Sequence, residues 1–317
     1  MSYGDPLLVV ALGGNAIQDP SGDDTVESDF EHTTATAQQL VQLAMRGWRL
    51  VITHGNGPQV GNHLYRSELG AKHGELPLLP LEICVADTQG GMGYMLQQCL
   101  ANAFRDADIP AVVASVVTQV VVDPDDPAFG SPSKPVGEVI DDAHATILRD
   151  HGWQLAEDKR RGGWRRVVAS PDPKEIVEAA AIRALVDDGV IVVAAGGGGV
   201  PVIDTDEGLR GIAAVVDKDL ASALLANDLR SDGLVILTDV ERVSLGYGTD
   251  KERALDQMTV AEARSYLEAG EFPAGSMGPK VEALARYVSA TGGDGVIAAI
   301  AHAEEAMSGR AGTRVVA

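Results

Sequence analysis

Residues 7–17, LLVVALGGNAI, decide the fold. Leu7 to Leu12 form an unbroken apolar run, as a strand covered on both faces requires. Gly13-Gly14 then interrupts it. Lacking Cβ atoms, the two glycines allow a sharp turn and let an anion approach main-chain N–H groups. A helix beginning at the break would add unpaired N–H groups and its positive end. A tight turn after a first strand explains these residues equally well.

The same design recurs twice. Residues 49–58, RLVITHGNGP, and 190–199, VIVVAAGGGG, again run from an apolar strand into glycine. In an open parallel sheet the ligand crevice lies beyond the carboxyl ends of the strands. The three breaks are therefore expected to line one crevice.

Composition bounds the answer. The chain has 317 residues, 45% apolar and only 4% aromatic, so its core is aliphatic. Asp and Glu total 46 against 25 Lys and Arg, a net charge of −21. That balance argues against nucleic acid and anionic membranes as partners. No signal pattern and no run of membrane-spanning length is visible, so a soluble, cytoplasmic protein is expected. The acid excess also points to a high-salt cytosol, where dense carboxylates keep a surface solvated. Cys84 and Cys99 read as buried thiols in a reducing compartment, and no Cys/His spacing suits zinc.

Along the chain, 19–29 reads as a polar loop and 31–46 as a helix stopped by Gly47. Helices are predicted over 58–69 and 89–104, and one long strand over 112–122. Residues 123–137, DPDDPAFGSPSKPVG, hold four prolines and cannot continue a helix or central strand. With a short helix over 141–151 and a hairpin segment at 162–168, residues 123–168 read as a small subdomain projecting from the main sheet. Pro173 is predicted to open a helix. Asp217 is a candidate N-cap for a helix over 217–226, and 234–238 is a strand. Thr259 and Glu262 have capping-box spacing, 279–289 is a helix, and 296–301 is the last strand. Repeated strand–helix units mean α/β with a mainly parallel sheet.

Spelling eliminates several anion sites. There is no Gly-Lys dipeptide, so no P-loop. Gly55-Asn-Gly57-Pro-Gln-Val-Gly61 is one residue too long for a dinucleotide fingerprint and carries Pro58 in the turn, but it is not eliminated: an NAD-binding dehydrogenase stays as a weaker rival reading. Protein-kinase signatures and a serine-hydrolase elbow are absent. The lysines point elsewhere. Lys218 and Lys280 each fall in the first turn of a predicted helix, where a cation opposes the helix dipole and a bound phosphate would relieve it. Lys174 also follows a proline, but exposure and Glu175 explain it. Lys134 in the proline-rich segment could reach over the crevice. Glycine-lined amides, a few lysines and Mg²⁺ suffice for phosphoryl transfer, in which catalysis is mainly positioning and charge neutralisation.

At these residues the chain resembles the carbamate kinases, a branch of the amino acid kinase superfamily. The resemblance runs nearly end to end, through VVALGGNAI (9–17), THGNGPQVGN (53–62), TQVVVDPDDPAF (118–129), SKPVG (133–137), GGGGVPVI (196–203), VVDKDLAS (215–222), LVILTDVERV (234–243) and GSMGPKVEA (275–283). It implies an α/β three-layer sandwich with a central, mainly parallel sheet, two lobes and the projecting subdomain. Residues 1–200 would form the carbamate lobe and 201–317 the nucleotide lobe, in a homodimer. The implied reaction is reversible transfer between carbamoyl phosphate and ADP, giving ATP and carbamate, with Mg²⁺, in arginine breakdown. Gly13, Gly14, Asn15, Gly55 and Asn56 would cradle the transferred group. Lys218 and Lys280 would neutralise it, Asp219 would orient them, and Lys134 would reach in from the subdomain. Asp239, Val240, Tyr247 and Met277, beside Lys218, would border the nucleotide. Two departures stand out. Many amino acid kinases carry Lys-x-Gly-Gly in the first strand, whereas this chain has Ala11, and Asp87 in VADTQGG replaces a usually apolar residue. A sibling kinase acting on a small carboxylate, or a non-catalytic sensor on the same fold, are the other readings.

Overall fold

The structure is a computed structural model describing residues 4–17, 25–74, 76–150, 152–158, 162–272 and 275–317; the side chains of Asn15, Ile147 and Asp150 also lie outside the description. The apolar run forms strand Leu7–Leu12, buried throughout. It pairs in parallel with Arg49–His54 on one side and Gly233–Thr238 on the other. Beyond these, Ile191–Val193 and Val113–Ser115 extend one edge; Asp294–Ala299, Thr313–Val316 and Gln257–Thr259 extend the other. Every pairing is parallel except that of Asp294–Ala299 with Thr313–Val316.

Side chains alternate across this sheet, and the alternation builds three layers. Leu7, Val9 and Ala11 face a core that includes Ala221 and Leu225 of helix Lys218–Asp228 and Val281 and Leu284 of helix Met277–Thr291. Leu8, Val10 and Leu12 face Leu40 and Leu43 of helix Val26–Met45 and Leu96 and Leu100 of helix Leu81–Asp106. A run buried on both faces is what the first strand needed to be continuously apolar.

Register sets the strand ends level. Leu12 lies opposite both His54 and Leu237, and Ile52 opposite Val193. The three glycine breaks therefore emerge side by side at the carboxyl edge. After the second, helix Gly57–Lys72 begins with Pro58 in its first turn.

The projecting subdomain has its own antiparallel sheet, in the order Lys134–Ile140, Trp164–Val168, Leu155–Glu157. Helix Asp142–Asp150 accompanies it, and His151 lies outside the described residues. The subdomain seats against helix Gly57–Lys72 through glycine on glycine: a Cβ on Gly61 would lie 2.0 Å from Gly137 Cα. Arg166 reinforces the seat by donating to Glu68 Oε1 at 2.7 Å.

Four expectations need correction. The predicted strand over 112–122 is two strands, Val113–Ser115 in the main sheet and Gln119–Val122 in a second sheet with Val200–Thr205, Gly208–Gly211 and Pro173–Ile176. The chain switches sheets at Thr118, whose N–H is held by the Gln89 side chain. Pro173 opens an edge strand, not a helix; it needs no ladder donor there, and helix Ala179–Asp187 follows instead. Helix Val26–Met45 starts inside the expected loop, capped by Thr25 Oγ1 on Ser28 N, while 19–24 lie outside the described residues. Strand Asp294–Ala299 is not the last, because Thr313–Val316 follows and turns back along it. The Asp217 cap and the Thr259–Glu262 capping box are both present. Asp87 is exposed on its helix, which explains how a carboxylate is tolerated there. Among the described residues no helix is long and apolar enough to cross a membrane.

Candidate active site

A cleft of about 320 Å³ opens at the carboxyl edge of the sheet. Gly13, Gly14, Gly55, Asn56 and Gly197 line it, so all three breaks reach it. Lys134, Lys218, Asp219 and Lys280 line it as well. These residues, singled out from the sequence, thus converge from six separate segments.

Two of the glycine amides have another task. Gly13 N–H donates to Leu237 O at 3.0 Å, and Gly55 N–H to Leu12 O at 3.3 Å, extending the ladders past the strand ends. These glycines serve the cleft by lacking a side chain. A Cβ on Gly13 would press to 3.0 Å from Leu237 O, and one on Gly55 would sit 3.4 Å from Lys218 Cδ, where the lysine stem crosses. Free amides come instead from the first turn of helix Gly57–Lys72, whose opening N–H groups have no intrahelical acceptor. Asn15 stands in the short 3₁₀ turn Gly14–Ala16.

Asn56 is buried, and its amide donates to Thr88 Oγ1 at 2.9 Å. The third break packs on it: Gly197 has φ +65°, and a Cβ there would lie 2.2 Å from Asn56 Nδ2. Gln89 donates to Gly196 O at 3.0 Å. Thr88 and Gln89, adjacent on one helix, therefore brace the second and third breaks together.

Charge is organised around Asp219, whose side chain is only 4% exposed. One oxygen accepts from Lys218, and the other from Lys280 Nζ at 2.9 Å. Burial pushes this carboxyl up, but the two ammonium groups outweigh it and hold it below the usual carboxylate range. Burial lowers Lys218 to about 8 against the pull of Asp219, with Lys280 adding repulsion. Lys280 is also penalised by burial, yet Asp219, with Asp217 and Asp239, holds it above its ordinary value. Asp217 caps helix Lys218–Asp228 through Asp219 N and also binds the Lys134 ammonium. His54, fully buried beneath the second break, is lowered to about 4 by burial; Gly55 O opposes that shift and Lys218 adds to it.

Thr238, Asp239, Gly275 and Ser276 also line the cleft, with Thr238 Cα 3.8 Å from where a Cβ on Gly13 would stand. Val240 adjoins Asp239 in the chain, Met277 packs against the core, and Tyr247 stands 64% exposed on the loop after strand Ser244–Leu245; none of the three lines the cleft itself. Sequence reasoning passed over Arg165, Thr88 and Gln89 as contributors. Arg165 had a readable signal: in strand Trp164–Val168 adjacent residues face opposite ways, so Arg165 reaches the cleft while Arg166 turns to Glu68.

At the carboxyl edge of the parallel sheet the glycine breaks thus face a Lys–Asp–Lys cluster, an arrangement suited to holding an anion on an α/β sandwich. The chain belongs to the amino acid kinase family, whose sequence profile matches residues 6–299. It is 46% identical over 310 residues, 98% of each chain, to the carbamate kinase of Pyrococcus furiosus. It is 44% identical over 314 residues, again 98% of each, to the carbamate kinase-like protein YahI of Escherichia coli. The structure of carbamate kinase from Giardia lamblia bound to AMP-PNP matches with a TM-score of 0.90 at 39% identity, covering 99% of each chain.

Proposed function

We propose that this chain is a kinase that transfers a phosphoryl group reversibly between carbamoyl phosphate and ADP, giving ATP and carbamate. The observation that carries the reading is the Asp219 clamp, which holds two buried ammonium groups in the glycine-lined cleft. Phosphoryl transfer needs in-line positioning and neutralisation of charge spread over the transferred oxygens. Lys218 and Lys280 supply that charge. Asp219 is no base, because both its oxygens accept from ammonium groups. None is required: the attacking oxygen, whether of carbamate or of the ADP β-phosphate, is already anionic. Lys134 supplies the cation that Ala11 in the first strand does not. Carbamate released in the ATP-forming direction breaks down to CO₂ and ammonia.

The division of labour follows the cleft. Residues 1–200 would hold the carbamoyl group, and 201–317 the nucleotide, with Asp239, Val240, Tyr247 and Met277 on the nucleotide side. Mg²⁺ would arrive with the nucleotide and screen its phosphate charge. Among the described residues no three His, Cys, Asp or Glu side chains gather as a cage. Phosphate oxygens and water would then supply most ligands, as Mg²⁺ prefers, with Asp239 a cleft-lining carboxylate that could join them. A cytosolic role in arginine breakdown fits this chemistry. Ile83 and Tyr94, exposed on helix Leu81–Asp106, offer an apolar surface to a second copy. A solution mass near twice 33.1 kDa supports the homodimer and a single-chain mass contradicts it.

The test is a panel of acceptors. ATP-dependent turnover with carbamate and none with glutamate or aspartate is expected. Turnover with an amino-acid carboxylate alone would move the chain to a sibling activity.

A further inference from the structure

We propose that Asp217 is a positioning residue for Lys134, fixing the subdomain's cation at the mouth of the cleft; the proposal rests on the carbamoyl phosphate reading above. Asp217 lines the cleft, so it places a negative charge beside the path of an anionic substrate. Its capping task does not explain the charge, because Asn caps a helix as well as Asp does. The second oxygen does explain it. While Oδ1 accepts from Asp219 N at 2.9 Å, Oδ2 holds the Lys134 ammonium. Both side chains are largely covered, 13% exposed for Asp217 and 26% for Lys134.

The pair joins two bodies that the chain separates by 83 residues. Lys134 starts strand Lys134–Ile140, whose middle is fixed by the contact of Gly137 with Gly61. Beyond that contact the lysine has a flexible four-carbon stem and many rotamers. Asp217 selects one of them. It does so from the residue preceding Lys218, so the subdomain's cation is indexed directly to the helix that carries Lys218 and Asp219. When a phosphoryl group enters, the ammonium is already beside it and is shared between carboxylate and substrate.

The test compares wild type, Asp217→Asn, Lys134→Met and the double variant, with ADP and carbamoyl phosphate as substrates. Asp217→Asn is expected to raise the KM for carbamoyl phosphate about tenfold, the loss of one well-placed charge-assisted contact. The KM for ADP should stay within about twofold, whereas a loosened helix would move both. In the Lys134→Met background the second change should add less than about twofold. Simple removal of a repelling charge would do the reverse and lower KM in both backgrounds. Amide hydrogen exchange over 134–140 in the substrate-free full chain gives a readout that needs no turnover; Asp217→Asn should speed it. Unaltered exchange overturns the proposal whatever the activity, and an unchanged or lower KM overturns it in an active enzyme. Absence of wild-type turnover would contradict the carbamoyl phosphate reading and leave the exchange result to decide the pairing.

Discussion

Lys280 Nζ lies 2.9 Å from Asp219 Oδ2, 61 residues away in the chain, while Lys218 holds the opposite oxygen, so a single buried carboxylate fixes two cations from two separate helices. Removing it leaves two ammonium groups, 11% and 12% exposed, without their counter-charge. Asp219→Asn is expected to cost about 3 kcal/mol, as loss of one partner of a buried ion pair does. Denaturant unfolding measures this; an unchanged midpoint would show that the clamp does not hold the site.

Acidity and basicity act on different groups. Lys218 at about 8 lies below its ordinary 10.5. Activity that needs its ammonium should fall as pH rises through about 8, read from kcat/KM of the free enzyme. Stability moves the other way: between about 8 and 10.5 the unfolded chain holds a proton that the native chain has released, so this group favours folding as pH rises. His54 at about 4 lies below its ordinary 6.5, so stability should fall as pH drops from 6.5 towards 4, by up to about 1.4 kcal/mol per pH unit. Asp219, held below the usual carboxylate range, contributes fully above that range and is lost only in stronger acid. A kcat/KM flat from pH 7 to beyond 9 would contradict the Lys218 assignment.

Gly197→Ala should damage site and fold together. Its φ of +65° costs an alanine about 1–2 kcal/mol, and the new Cβ would lie 2.2 Å from Asn56 Nδ2. Gly270→Ala is the control, since Gly270 has φ +72° with nothing within 4 Å. Both variants should lower Tm, but only Gly197→Ala should lower kcat/KM, by tenfold or more. Equal activity in the two would mean that the third break does not shape the site.

The parts of this architecture written locally were legible in the sequence. An apolar run ending in glycine, an Asp ahead of a helix, and Thr259 three residues before Glu262 each carry their meaning within a few positions. What escaped depends on partners far along the chain. Val113–Ser115 and Gln119–Val122 read as one strand because the Gln89 side chain that holds Thr118 lies 29 residues away. Pro173 looked like a helix start because its strand partner, Val122, comes from another sheet segment. The use of Gly13 and Gly55 amides by Leu237 and Leu12 is equally a matter of register, which no single segment states.

The net charge of −21 sets a salt prediction. Self-repulsion among surface carboxylates weakens as KCl screens them, so the unfolding midpoint should rise from low to multimolar KCl. Stability unchanged across that range would remove the high-salt reading.

The central claim is that Lys218 and Lys280 carry the charge of the transferred phosphoryl group. It is tested most directly by measuring ATP formed from ADP and carbamoyl phosphate with wild type, Lys218→Ala and Lys280→Ala, each checked for folding. Wild type should form ATP, and each variant should lose on the order of 10²–10³ in kcat, the usual effect of removing one transition-state donor. Turnover at the wild-type rate in both variants would contradict it.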